Sequence, residues 1–168
     1  MTTTLLQPLF LLCLLALTAC QTESTELPMT SETPVRFDDA RAEQIYHNYL
    51  DLQQALADSD AKHAATAAGK LNDEFSDSQT ELRYLARHIA ASDDTEVQRR
   101  YFLHMTDQLE PVFSDRLTQG TIYRMHCQKA NKGVGADWFS EANRIYNPYL
   151  GAAMPACGTV VSQIRGRG

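Results

Sequence analysis

Five residues in the last third of the chain have types suited to chemistry: Met125, His126 and Cys127 in one short knot, Met154 and Cys157 in another. Thiolate and thioether sulfur favour Cu(I) and similar soft ions, and imidazole suits copper and zinc. The five therefore make a soft-metal ligand set if the two knots converge in space. No spacing among them is as tight as a Cys-x-x-Cys pair. The same two cysteines, 30 residues apart, are also a ready disulfide in an oxidising compartment. Closing that loop stabilises a fold by roughly 3 to 4 kcal/mol on the chain-entropy model. Free buried thiols are the third possibility. Taken singly, Met125 and Met154 read as core fillers, and His126 reads as a satisfied surface histidine or one that orients a ligand. Only the cluster raises the metal reading.

The compartment follows from the amino terminus. Residues 9–17 are a short apolar run including Phe10, Leu11, Leu12, Cys13, Leu14 and Leu15, too short to span a bilayer and suited to the core of a signal peptide. It ends in Leu17, Thr18, Ala19 and Cys20, which resembles the bacterial lipobox, in which the cysteine is lipidated and becomes the new amino terminus. The absence of Lys or Arg from residues 1–8 departs from the usual signal. By resemblance to lipoprotein sorting rules, Gln21 in place of Asp favours the outer membrane, facing the periplasm. Residues 1–19 are thus expected to be a signal peptide and 20–37 a polar tether. Removal of Cys13 and lipidation of Cys20 leave Cys127 and Cys157 as the redox-relevant pair. The net charge of −6 falls on the mature part and argues against a nucleic-acid partner. The mature length of about 149 residues suffices for one domain with a real core.

The elements expected to position the sulfur residues are helical. In 38–59, Ile45, Tyr49, Leu52 and Leu56 recur at intervals of three and four, with Asp38 and Asp39 suited to the helix start. Residues 60–74 carry Ala61, Ala64, Ala65, Ala67 and Ala68, good helix formers that let a neighbour approach closely. Residues 80–91 place Leu82, Leu85 and Ile89 on one side, and Ser92, Asp93 and Asp94 supply capping types. The fourth, 95–117, has Val97, Phe102, Met105, Leu109, Val112 and Phe113 as its stripe, and Pro111 is expected to kink it or to open a shorter helix. Four amphipathic helices with short connections predict an all-α fold: an antiparallel four-helix bundle over 38–164 with an irregular Cys/Met-containing C-terminal segment. His47, His63, His88 and His104 show no metal spacing and read as surface or packing residues. The turn material from Asn131 to Gly135 contains two glycines able to take positive φ, and lacks the ending of a phosphate loop. Thr121, Ile122 and Tyr123 read as a short strand, the apolar β-branched run 159–164 as a strand or closing turn, and 165–168 as a solvated tail. No nucleophile, base and orienter occur at readable spacing, so no enzymatic activity is expected.

These residues carry a resemblance. The order His126-Cys127-x-x-Ala130, Gly135-Ala136-x-Trp138-x-Ser140, Ile145-x-Asn147-Pro148-Tyr149-x-Gly151, Met154-x-x-Cys157-Gly158 resembles a family of periplasmic domains of unknown function. Its members occur in secreted or lipidated proteins, or appended to the membrane-fusion subunits of copper and silver efflux pumps. The resemblance spans about 41–164. It implies a periplasm-facing lipoprotein that binds a soft metal, Cu(I) or Ag(I), as buffer or accessory to heavy-metal efflux components. The membrane lipid would be reached through Cys20. The family usually has Cys-Pro-Met where this chain has Cys127, Gln128 and Lys129, so one sulfur is replaced by an ammonium that cannot bind a metal while protonated. Met125 is the residue able to compensate. The alternative is a non-catalytic envelope module whose cysteines form a Cys127–Cys157 disulfide.

Overall fold

The computed structural model describes residues 33–168. The apolar run 9–17, Cys20 and the tether up to residue 32 lie outside the described residues. Among the described residues, no helix is long and apolar enough to cross a membrane.

The four expected helices form: α1 (Ala40–Ala57), α2 (Ala61–Glu74), α3 (Thr80–Ala90) and α4 (Thr95–Arg116). Three of the four start at acidic caps, and α3 starts after Gln79 without a side-chain cap bond. The carboxylate of Asp39 accepts from the Arg41 N–H at 2.8 Å, Asp60 from His63 at 2.9 Å and Asp94 from Glu96 at 2.8 Å, each satisfying an orphan donor of a first turn. Successive helices pack on one another and α1 also meets α4. Ala64, Ala67 and Ala68 are buried with Leu71, so α2 approaches its neighbours through small side chains. α4 continues through Pro111 as one helix, so of the two expectations for Pro111 no second, shorter helix opens there. The missing N–H deprives only the Asp107 carbonyl of its partner, and Asp107 stands on an exposed face.

The fold is not all-α. Among the described residues, five strands make two antiparallel sheets: β1 (Arg36–Phe37) pairs with β2 (Leu117–Gln119), and β3 (Thr121–Cys127) lies between β4 (Ala136–Ser140) and β5 (Thr159–Arg165). The molecule is therefore mixed α and β. The segment expected to be irregular is strand-rich because both faces of β3 are covered. Side chains alternate along a strand. Ile122, Arg124 and His126 lie on one side with Asp137 and Phe139, while Tyr123, Met125 and Cys127 lie on the other with Ala136, Trp138 and Ser140. Phe139 seats the first face on the helices, 5.9 Å from Tyr49 and 5.5 Å from Phe113 between ring centroids. Residues assigned to tether and tail also pair. Phe37 is buried against Tyr46, and the N–H groups of Gly166 and Gly168 donate to the carbonyls of Gly120 and Thr118, each at 3.0 Å.

A hydrogen-bonded chain locks sheet to bundle. The Phe139 N–H donates to the Tyr49 hydroxyl at 3.0 Å, Tyr49 bonds Thr106 Oγ1 at 3.0 Å, and Thr106 donates to the Phe102 carbonyl at 3.2 Å. Beside it, Arg124 bridges Asp137 of β4 to Asp107 and Glu110 of α4.

Burial holds the hydroxyls of Tyr46, Tyr49 and Tyr149 protonated well above their ordinary value of 10.0. A raised folded-state pKa contributes stability that is complete below pH 10 and is lost as pH rises beyond it, because the unfolded chain then releases protons that the folded chain keeps. Each tyrosine should cost about 1.4 kcal/mol per pH unit above 10. Absorbance titration should show these three of the seven tyrosines ionising together with unfolding. All seven ionising near pH 10 in the folded protein would contradict the packing.

Candidate functional site

β3 and β4 form a hairpin whose register sets Cys127 opposite Ala136 and Met125 opposite Trp138. The turn between them uses left-handed backbone at Asn131, Lys132, Gly133 and Gly135, the two expected glycines among them. Gly135 is required by close approach: a Cβ there would lie 2.8 Å from His126 Cε1. The segment 141–158 then covers the sheet face carrying Trp138. A Cβ at Gly158 would lie 2.7 Å from Trp138 Cη2, so the chain passes directly over the indole.

This covering segment has almost no regular structure, so side chains must satisfy its backbone. Asn147, fully buried, does most of it. Its Oδ1 accepts from the Tyr149 and Leu150 N–H groups at 2.8 and 3.0 Å. Its Nδ2 donates to the Cys157 carbonyl at 2.7 Å, and its own N–H donates to the Pro155 carbonyl at 3.0 Å. Arg99 of α4, buried, donates from Nε to the Pro148 carbonyl at 2.7 Å and from Nη2 to the Leu56 carbonyl at 2.8 Å and Ser59 Oγ at 2.9 Å. The loop is thereby tied to the α1–α2 turn. Gly151 packs into the same junction with φ +51°, and a Cβ would come within 2.5 Å of Ser59 Oγ. Tyr149 is tucked inward, its hydroxyl donating to the Asp137 carbonyl at 2.7 Å. Gln53 donates to the Tyr146 carbonyl at 2.7 Å, and the Tyr146 hydroxyl bonds Asp58, holding that carboxyl below its usual range.

The result is that Cys127 and Cys157 meet, Cα atoms 5.7 Å apart, as a disulfide. Met154 is on the same turn, its carbonyl accepting from the Cys157 N–H at 3.2 Å, with 36% of its surface exposed. Met125 shares the sheet face of Cys127 but is fully buried in the core. His126 faces the other way, its Nδ1 2.5 Å from Asp137 Oδ1. Lys129 is exposed in the turn. Of the five residues, then, the structure joins Cys127, Cys157 and the turn bearing Met154, and sends His126 to the opposite face. No group of three or more His, Cys, Asp or Glu side chains is placed to hold a metal ion among the described residues. Sequence reasoning missed Arg99, whose carbonyl partners lie 43 and 49 positions away. Asn147 stood out in the sequence only as a motif position, although Asn before Pro is a signal for side-chain capping of a turn.

Replacing Arg99 by Met keeps the aliphatic stem but removes the charged donor from the Pro148 carbonyl and from the Leu56 carbonyl, which keeps the Ser59 N–H. Chemical denaturation should show a loss of about 2 to 4 kcal/mol, as expected for buried bonds to a charged donor. An unchanged midpoint would contradict the clamp.

No curated protein and no solved structure matches the chain. The stretch matched by a family model runs from α1 into β2 and stops short of both cysteines: residues 45–119 are similar to a family described as a protein of unknown function, DUF3347.

Proposed function

We propose that this protein is an envelope lipoprotein that binds a soft metal ion, Cu(I) first, through the sulfur atoms of Cys127 and Cys157 with Met154 as a third ligand. In this reading it serves as a metal buffer or an accessory to heavy-metal efflux. The observation that carries the reading is the meeting of two sulfurs 30 residues apart, with the partly exposed Met154 on the same turn as Cys157. Two thiolates and a thioether form a donor set of the softness that Cu(I) or Ag(I) prefers. Met125 and His126 fall outside this set, one by burial in the core and the other by facing Asp137. Lys129, where a further sulfur would be expected, leaves the set at three.

A second reading is favoured by the disulfide itself: a non-catalytic envelope module in which the bond staples segment 141–158 to β3. Both readings share the anchor. Lipid on Cys20 would hold the domain to the outer membrane on its periplasmic side.

Anaerobic titration of the reduced mature chain with Cu(I) should give one tightly held ion per chain, and the Cys127→Ser, Cys157→Ser double variant should hold none. Equal stoichiometry in both would end the metal reading and leave the staple, whose removal should cost roughly 3 to 4 kcal/mol. Cells expressing Cys20→Ser should lose palmitate labelling of the protein and its recovery with membranes. Persistent labelling would contradict the anchor.

A further inference from the structure

We infer that the sulfur pair is a redox-gated site preset by Asn147, which acts as a positioning residue; this rests on the soft-metal reading above. A disulfide normally holds together two chain segments that would otherwise separate. Here each cysteine is fixed by other means. Cys127 closes β3 opposite Ala136 and is 1% exposed. Cys157 is gripped on both sides of its peptide: its carbonyl takes the Asn147 Nδ2 donor at 2.7 Å, its N–H reaches the Met154 carbonyl at 3.2 Å, and the neighbouring Pro155 carbonyl takes the Asn147 N–H at 3.0 Å. Gly158 lies flat against Trp138. Asn147 is in turn set by its bonds to Tyr149 and Leu150, and the following Pro148 by Arg99. None of these contacts uses a sulfur atom.

Reduction therefore opens the bond without dispersing its ends. A small-molecule or protein dithiol exchanges with the disulfide, passing two electrons and two protons to Cys127 and Cys157 and leaving as its own disulfide. Cu(I) then displaces both thiol protons to solvent and takes the two thiolates, with Met154, on the same turn as Cys157, as the proposed third ligand. Reoxidation by a disulfide-class oxidant takes two electrons from the two thiolates, restores the Cys127–Cys157 bond and releases Cu(I), while the oxidant takes two protons from solvent and leaves as a dithiol. The closed form is the metal-free form, and the gate is the bond itself rather than a movement of the loop.

The test compares oxidised and reduced wild-type protein with reduced Asn147→Ser, whose shorter hydroxyl can still accept from Tyr149 but cannot reach the Cys157 carbonyl. Cu(I) should bind the reduced form stoichiometrically and the oxidised form not at all. Asn147→Ser should bind about 10- to 100-fold more weakly, the usual loss when a residue orienting a ligand is removed. Amide exchange in reduced, metal-free wild-type protein supplies a readout independent of the variant: the N–H groups of Asn147 and Cys157 should stay protected. Equal binding by oxidised and reduced protein would overturn the gate while leaving a thioether-based metal site. Loss of amide protection on reduction, or undiminished affinity in Asn147→Ser, would overturn the positioning role. Binding by neither form would remove the soft-metal reading and this inference with it.

Discussion

An irregular chain segment can hold two sulfur atoms in register only if its own peptide groups find partners inside the protein. That constraint organises the C-terminal half of this molecule. Asn147 and Arg99 meet it with side-chain bonds to five backbone groups of the covering segment and the α1–α2 turn. Each is buried where an unmet carbonyl or N–H would cost on the order of 1 to 3 kcal/mol. The disulfide adds to a geometry that these bonds already impose.

The helical domain contributes a platform whose shape is set by aromatic packing. Tyr49 stacks at 5.2 Å on Phe102 and meets Phe113 edge-on at 5.8 Å, while its hydroxyl captures the Phe139 N–H of β4. Bundle and sheet thus share one core, and Phe102 continues it to Tyr149 at 5.8 Å. The Arg124 cluster closes the same seam with charges. A guanidinium facing Asp107, Glu110 and Asp137 fixes the angle of β3 against α4, and Asp137 in turn holds the His126 ring. His126 therefore belongs to the seam between layers, whereas Cys127, one residue on, belongs to the sulfur face.

The helices were legible in the sequence because each has one apolar and one solvated face, and Asp39, Asp60 and Asp94 mark their starts. The sheet was only partly legible. Arg124 and His126 look like solvent-facing residues, yet the carboxylates that cover them come from α4 and β4, so polar and apolar positions no longer report exposure. β4 is five residues long and includes adjacent Trp138 and Phe139, which bury on opposite faces and erase the alternation. Pro111 suggested a kink or a second helix, and a single missing hydrogen bond on an exposed face did not require the second helix. The meeting of Cys127 and Cys157 was open in the sequence as disulfide or ligand pair; the separation of His126 from them depends on strand pleating, which the short knot Met125, His126, Cys127 does not disclose.

The proposed metal site is built from the sulfur atoms of Cys127 and Cys157. X-ray absorption spectroscopy of the reduced protein loaded with one equivalent of Cu(I) tests it most directly. The account predicts a first shell of two or three sulfur atoms with no imidazole scattering, abolished in Cys157→Ser. A shell containing histidine nitrogen, or a spectrum indifferent to that substitution, would contradict it.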